Sequence, residues 1–425
     1  MTGPRTRLLC LMVLSACAPA GHLATGAQAP CCGDRGLAIA YQYRVEGLEQ
    51  RRFDHSEYWK ALDAALVADR SGRVRVTPLG RSIEGRAINA VTTGVGPTSV
   101  LLWSQMHGDE STASMSLADL IHWFAASPDA DTLRRTLERH LTITMIPMLN
   151  PDGAQRFIRH NALGVDVNRD ALRLATPEGR VLKAVRDSLD ADFGFNLHDQ
   201  GPRSAGPDGD LVAVALLAPA ADEERTWGPV RQRARQVAAV IAGALQAEIP
   251  GSIARYDDSF TPRAFGDNMQ IWGTATVLIE SGMLPDDPEK QELRRLNVLA
   301  LLAALESIAD GSFESAPGAA YDDLPLNVGL TNDLLLTGGR VVMGGGESFP
   351  VDVAVVFDDP IARTGPRYGQ IGDLSGVRAV ETIDVSGLFI HPDSDLLIRG
   401  EPAYLSVRRG VTSGSEQVLR VGAED

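Results

Sequence analysis

His107 and Glu110 stand three residues apart, directly after the apolar run 99–103 and directly before a helix-like segment from Ser111 to Ala126. A buried strand that hands a His and a Glu to one turn at its carboxyl end puts an imidazole nitrogen and a carboxylate oxygen within reach of one cation. In open α/β sheets the carboxyl ends of strands are also where ligands bind. His198 closes a later apolar run, 193–197, in the same manner and is the candidate third ligand. Glu280 ends a further run, 274–279. A lone carboxylate there is costly unless it has a partner or a reaction to serve, so it is the candidate general base. Arg156, Arg159 and Arg169 follow Asn150-Pro151-Asp152-Gly153 in one polar stretch. They offer positive charge for a developing oxyanion, or else form a solvated basic loop, the blander reading that spacing favours for Arg156. Two imidazoles, a carboxylate and a separate carboxylate base are the parts of metal-assisted hydrolysis, in which zinc keeps one position open for water.

The rest of the chain narrows the donor set. All four cysteines, Cys10, Cys17, Cys31 and Cys32, lie near the N-terminus. Beyond them there is no thiolate ligand, thiol nucleophile or disulfide framework, so a metal must be held by His, Asp or Glu. Of the eight histidines, His22 falls in the leader, His55 precedes the sheet and His391 falls near the C-terminus. His122 sits on a helix face, His140 begins a strand at the opposite end of the sheet, and His160 lies near the site without a matching partner.

The elements that must position these residues alternate. Helical spacing covers 58–68, 111–126, 133–139, 181–189, 223–247 and 289–308; strand-like runs cover 74–79, 87–92, 99–103, 141–149, 193–197, 211–217 and 274–279. Such alternation predicts an α/β fold, a mixed, mostly parallel sheet flanked by helices. Composition shifts near 311–321, and beyond it only short strand-like runs separated by Gly and Pro remain. They predict a small all-β C-terminal domain over 320–425.

The first residues read as an export signal, with Arg5 and Arg7 before the apolar stretch 8–14. Leu14-Ser15-Ala16-Cys17 has the form of a lipobox, which gives a signal peptide over 1–17 and a tether over 18–36. A lipidated Cys17 would tie the chain to a membrane, as a periplasmic or outer-membrane lipoprotein. Plain secretion after Ala27-Gln28-Ala29 is the alternative, disfavoured by Pro30. Cys31-Cys32 has no assigned role. The net charge of −15 argues against nucleic acid as a partner.

His107-x-x-Glu110, Asn150-Pro151-Asp152-Gly153, Gly164-Val165-Asp166-Val167-Asn168-Arg169, His198 and Glu280 occur in the order and rough spacing of the zinc carboxypeptidase family. The segment Gly80-Arg81-Ser82-Ile83-Glu84-Gly85-Arg86 also resembles that family's hairpin before the metal motif. The resemblance spans about 58–313, within a catalytic domain placed at 37–313, and points to a bacterial branch. It implies one zinc ion per chain on His107, Glu110 and His198, with Glu280 as general base. It further implies that Arg159 polarises the scissile carbonyl, that Asn168 and Arg169 hold the terminal carboxylate of a peptide substrate, and that Asp166 orients His107. The family's substrate-capping Tyr has one counterpart between His198 and Glu280, namely Tyr256, in surroundings that do not match. The stretch 261–268 is expected to shape the side-chain pocket. The implied activity is removal of C-terminal residues from peptides. The alternatives are a zinc amidohydrolase of N-acyl amino acids or cell-wall peptides, and a non-catalytic zinc-binding lipoprotein. The C-terminal part more faintly resembles the small β-sandwich beside the barrel of amidohydrolases, although the chain has no barrel.

Overall fold

The computed structural model describes residues 33–67, 72–344, 346–394 and 396–422. The export signal, Cys17 and Cys31-Cys32 lie outside the described residues. The first helix, α1 (Gly33–Gln42), begins inside the stretch assigned to a tether. Its Ile39 and Ala40 are buried in the main core, so at least 33–36 belong to a packed helix rather than to a linker.

The chain continues through α2 (His55–Leu66), the hairpin β1 (Arg75–Arg81) and β2 (Ala87–Thr93), then β3 (Thr98–Trp103), α3 (Thr112–Ala126), α4 (Thr132–His140) and β4 (Leu141–Ile146). Next come α5 (Pro151–Arg156), α6 (Pro177–Leu189), β5 (Phe193–Asp199), β6 (Arg203–Ala205), β7 (Val214–Leu217), α7 (Pro229–Leu245) and β8 (Ile253–Arg255). The α/β part ends with α8 (Phe265–Ile271), β9 (Ala275–Ser281) and α9 (Gln291–Asp310). Eight strands form one mixed sheet in the order β1-β2-β4-β3-β5-β9-β7-β8, and its centre, β4-β3-β5-β9, is parallel throughout.

Both faces of that centre are covered, which is why its strands read as near-continuous apolar runs. Along β3, Val100 and Leu102 join the core built with α3, α7 and α9, while Leu101 and Trp103 join the smaller core built with α6 and α8. From β3 the chain runs to β4 on one side, then crosses back to β5 on the other. The crevice at the carboxyl ends of β3 and β5 is thus a switch point of the sheet. A buried ion pair ties the helices together: the Arg294 guanidinium on α9 donates to both Asp119 carboxylate oxygens on α3, and to the Leu48 and Val45 carbonyls.

After β10 (Asn327–Gly329), two further sheets follow. One is β15-β14-β11-β16, from β11 (Leu334–Thr337), β14 (Asp352–Asp359), β15 (Thr364–Gly372) and β16 (Glu381–Asp384); the other is β13-β12-β17-β18-β19, from β12 (Arg340–Val342), β13 (Ser348–Pro350), β17 (Phe389–Pro392), β18 (Leu405–Arg408) and β19 (Gln417–Val421). Leu334, Val353 and Tyr368 of the first sheet share one buried cluster with Val341, Ile390 and Val407 of the second. The 223–247 helix starts only at Pro229, where a proline at the first helical position is well tolerated.

Candidate metal centre and active-site cleft

β3 stops where Gln105 turns into the left-handed region at φ 49°, and the chain then presents His107, Gly108 and Glu110. Gly108 is required there: a Cβ would lie 1.9 Å from the Gly153 carbonyl carbon. That close approach brings the Asn-Pro-Asp-Gly segment against the metal loop. Asn150 caps α5 by accepting from the Gly153 amide at 2.9 Å, and its own amide nitrogen donates to the Met106 carbonyl at 3.2 Å. Asp152, fully buried, accepts from Ser82 Oγ at 2.7 Å, the Glu84 amide at 3.0 Å and Arg86 Nη1 at 2.6 Å. The motif therefore does structural work, fixing the preceding hairpin under the site. Arg156 belongs to the same brace: it pairs with Glu84, whose carboxyl is held at about 2 by the Arg156 and Arg86 guanidinium groups.

His107, Glu110 and His198 are all buried, and their ligand atoms lie within 4.8 Å of one another. His107 Nδ1 is 2.8 Å from Glu110 Oε1, His198 Nδ1 is 2.6 Å from Glu110 Oε2, and the two Nδ1 atoms are 3.2 Å apart. The other nitrogen of His107 faces Asp166 Oδ1 at 3.0 Å, and a carboxylate accepts only, so Nε2 carries a proton and Nδ1 turns inward. Two imidazole nitrogens and two carboxylate oxygens thus converge on one point, an arrangement suited to a shared cation. Burial disfavours charge on His107, but the Glu110 and Asp166 carboxylates outweigh it and push the imidazole up to about 9. Burial alone would raise Glu110, yet the two imidazoles hold it well below the carboxylate range. The donor set, two nitrogens and one carboxylate beside an open cleft, fits zinc.

Glu280 is the strand neighbour of His198 in the β5–β9 register. Its Oε2 is buried and has no hydrogen-bond partner among the described residues. Burial, then the Glu110 charge, pushes its carboxyl well above the usual range. Arg159 donates through Nε and Nη2 to Asp166 Oδ2 at 3.2 and 2.9 Å, which leaves Nη1 aimed at the cluster, 3.3 Å from Glu110 Oε1. Asp166 also caps the short turn 167–169 by accepting from the Asn168 amide at 2.9 Å. Asn168 Oδ1 accepts from the Phe265 amide at 2.9 Å, and its Nδ2 lies 3.5 Å from His198 Nε2. Arg169 is exposed, steadied by a 2.8 Å bond from Nη1 to the Asn168 carbonyl.

These groups line one cleft of about 590 Å³. Tyr256 lines it too, with the Arg203 guanidinium 5.4 Å above its ring; burial, then the Glu280 charge, raises its phenol. Thr261, Ala264 and Asp267 of the expected pocket stretch form part of the wall. His55, His122, His140 and His391 are each bonded to a backbone carbonyl elsewhere.

Several lining residues escaped sequence reasoning. Lys290, almost fully buried, reaches Asp199 Oδ2 at 3.3 Å and the Ser281 carbonyl at 3.2 Å. Asp199 in turn accepts from Thr112 Oγ1 at 2.7 Å, which anchors α3 beside Glu110. Adjacency to His198 was a usable signal for Asp199; nothing in the local pattern marks Lys290. Arg51, Arg52 and the 358–361 segment of the C-terminal part also line the cleft.

Comparison with known proteins finds the following likenesses. Residues 60–197 match the model of the zinc carboxypeptidase family. An uncharacterised protein of Zymomonas mobilis is 28% identical over 138 residues, covering 32% of this chain and 36% of that protein. Carboxypeptidase 2 of Trichophyton rubrum is 27% identical over 176 residues, covering 40% of this chain and 31% of the relative. The chain thus spans about a third of the length of the curated relatives it matches. Among solved structures, a metallo-carboxypeptidase from Burkholderia cenocepacia aligns at 22% identity with a TM-score of 0.48, over 60% of this chain and 69% of that one. Over residues 60–197 the chain is thus similar to the zinc carboxypeptidase family.

Proposed function

We propose that the protein is a zinc-dependent carboxypeptidase that removes the C-terminal residue of peptides. The observation that carries the reading is the buried His107–Glu110–His198 cluster beside Glu280, whose inward oxygen has no partner among the described residues. Zinc held by those three residues would lower the pKa of water and polarise a carbonyl.

The chain's own groups complete the reaction. Glu280 Oε2 would take a proton from the attacking water and deliver it to the leaving amine. Burial, then the Glu110 charge, raises its carboxyl and so favours holding the proton that the second step delivers. Arg159 would steady the carbonyl oxygen through Nη1 while Asp166 fixes the rest of its guanidinium. Asn168 and Arg169 would anchor the substrate carboxylate, Arg169 through its planar fork. Tyr256 would close over the bound residue from the Arg203 side of the cleft.

The reading requires a free carboxylate on the substrate. A peptide with a free C-terminus should lose its last residue on incubation with the zinc-loaded protein, and the same peptide with an amidated C-terminus should survive. Equal cleavage of both would overturn the carboxylate anchor. Cleavage of N-acyl amino acids or muropeptides alone would favour the amidohydrolase alternative.

A further inference from the structure

The cleft has a wall that the α/β part does not supply. Asp358, Asp359, Pro360 and Ile361, at the end of β14 and in the turn to β15, line it. This turn is braced from inside: Asp359 Oδ1 accepts from the Ile361 and Ala362 amides at 3.1 and 3.0 Å. It is also fastened to the catalytic side. Arg51 Nη2 pairs with Asp359 Oδ2, and both side chains are largely withdrawn from solvent, at 10% and 24% exposure. The Arg51 carbonyl accepts from Ser111 Oγ at 2.5 Å, next to Glu110, and the guanidinium groups of Arg51 and Arg52 lie 5.2 and 4.6 Å from the Phe157 ring.

The C-terminal part is also held at β10 and at Arg378. β10 pairs with β6 of the active-site loop, in the register Asn327 to Ala205. Gln200 and Asn327 exchange side-chain hydrogen bonds at 3.3 and 2.6 Å. Arg378 donates to the Gly209 carbonyl at 2.9 Å and to the Pro207 carbonyl. With these attachments the C-terminal part is fixed against the α/β part, and Arg51 holds the wall itself.

Its position relative to the substrate follows from its neighbours. Of the proposed carboxylate anchor, Asn168 connects to the α8 side through Phe265 and to the cluster through His198, and Arg169 bonds to the Asn168 carbonyl. The wall connects to the cluster through Ser111, beside Glu110. Anchor and wall therefore border different edges of the metal centre. A peptide chain extends by about 3.3–3.6 Å per residue, so a long substrate leading away from the anchor reaches the border of the cleft within a few residues. The cleft, about 590 Å³, is the size of a small-molecule site.

We infer that the 360–363 turn closes the cleft on the side away from the substrate carboxylate and makes this site selective for short peptides over long ones. The inference rests on the carboxypeptidase reading. Its test compares kcat/KM for an N-acyl dipeptide and for a decapeptide ending in the same two residues, using the full zinc-loaded chain. Wild type should prefer the dipeptide by about tenfold or more. Replacing Pro360–Arg363 with Asn-Gly keeps a hairpin between Asp359 and Thr364 and removes the projecting turn. That variant should raise the decapeptide-to-dipeptide ratio by about fivefold or more. The double variant Pro360→Gly, Ile361→Gly, which keeps the turn length but trims its side chains, should shift the ratio the same way. Comparable wild-type rates on both peptides, or a ratio unmoved in both variants, would overturn the wall and leave the carboxypeptidase reading standing. No release from either peptide by wild type would instead overturn that reading.

Discussion

At the scale of residues, the site is a buried cluster of imidazoles and carboxylates, and the titrations of its carboxyl groups have been pushed apart by their surroundings. Glu110 is held ionised by two imidazoles, while Glu280, beside His198 in the sheet, is pushed toward its protonated form by burial and by Glu110 itself. Asp267, buried in the cleft wall, shows the same cost in a form that can be measured. Burial raises its carboxyl from 3.8 to about 6, offset in part by the Thr261 amide. The folded state therefore keeps this proton longer than the unfolded chain. Stability is full below the unfolded pKa, falls as pH rises through about 6, and has lost roughly 3 kcal/mol above that. Asp267→Asn keeps the oxygen that accepts from Thr261 and removes the charge. It should be the more stable protein at pH 8 and lose its advantage near pH 4. Urea denaturation at the two pH values checks this, and an equal difference at both would show that burial of charge is not the cause.

At the scale of elements, the candidate catalytic groups are set by strand ends and by one backbone-to-backbone contact. Gly108 against Gly153 presses the metal loop onto the start of α5, and through Asp152 onto the β1–β2 hairpin. Gly108→Ala should cost about 1–3 kcal/mol in denaturant unfolding and weaken zinc binding, because the loop must move to admit a methyl group. A variant as stable as wild type with unchanged zinc affinity would show that the contact is slack. The central strands were legible in the sequence because both of their faces are buried, which leaves unbroken apolar runs with a His or Glu at the end. Short pieces were not. β8, three residues long, has too little sequence to carry a period. α8 opens on Phe265, and six of its seven residues are buried, so no polar face marks it as a helix. The role of Asn150-Pro151-Asp152-Gly153 was legible as a turn signal but not as the brace it forms, because its partners lie about 45 to 70 residues away.

At the scale of the molecule, the β-rich C-terminal part was read as a separate unit, since its composition changes and its strands are short. Its effect on the cleft was hidden because it depends on two contacts between residues far apart in the chain, Arg51 with Asp359 and Gln200 with Asn327. The central claim, however, belongs to the α/β part: a zinc site on His107, Glu110 and His198, with Glu280 moving the proton. The most direct measurement is stepwise release of C-terminal residues from a mixed peptide pool by wild type and by Glu280→Gln, each shown to hold one equivalent of zinc. We expect release by wild type and a rate about 10²- to 10⁴-fold lower for Glu280→Gln at the same zinc content. Equal release by both proteins would contradict the role of Glu280, and zinc-loaded wild type that releases nothing would contradict the carboxypeptidase activity itself.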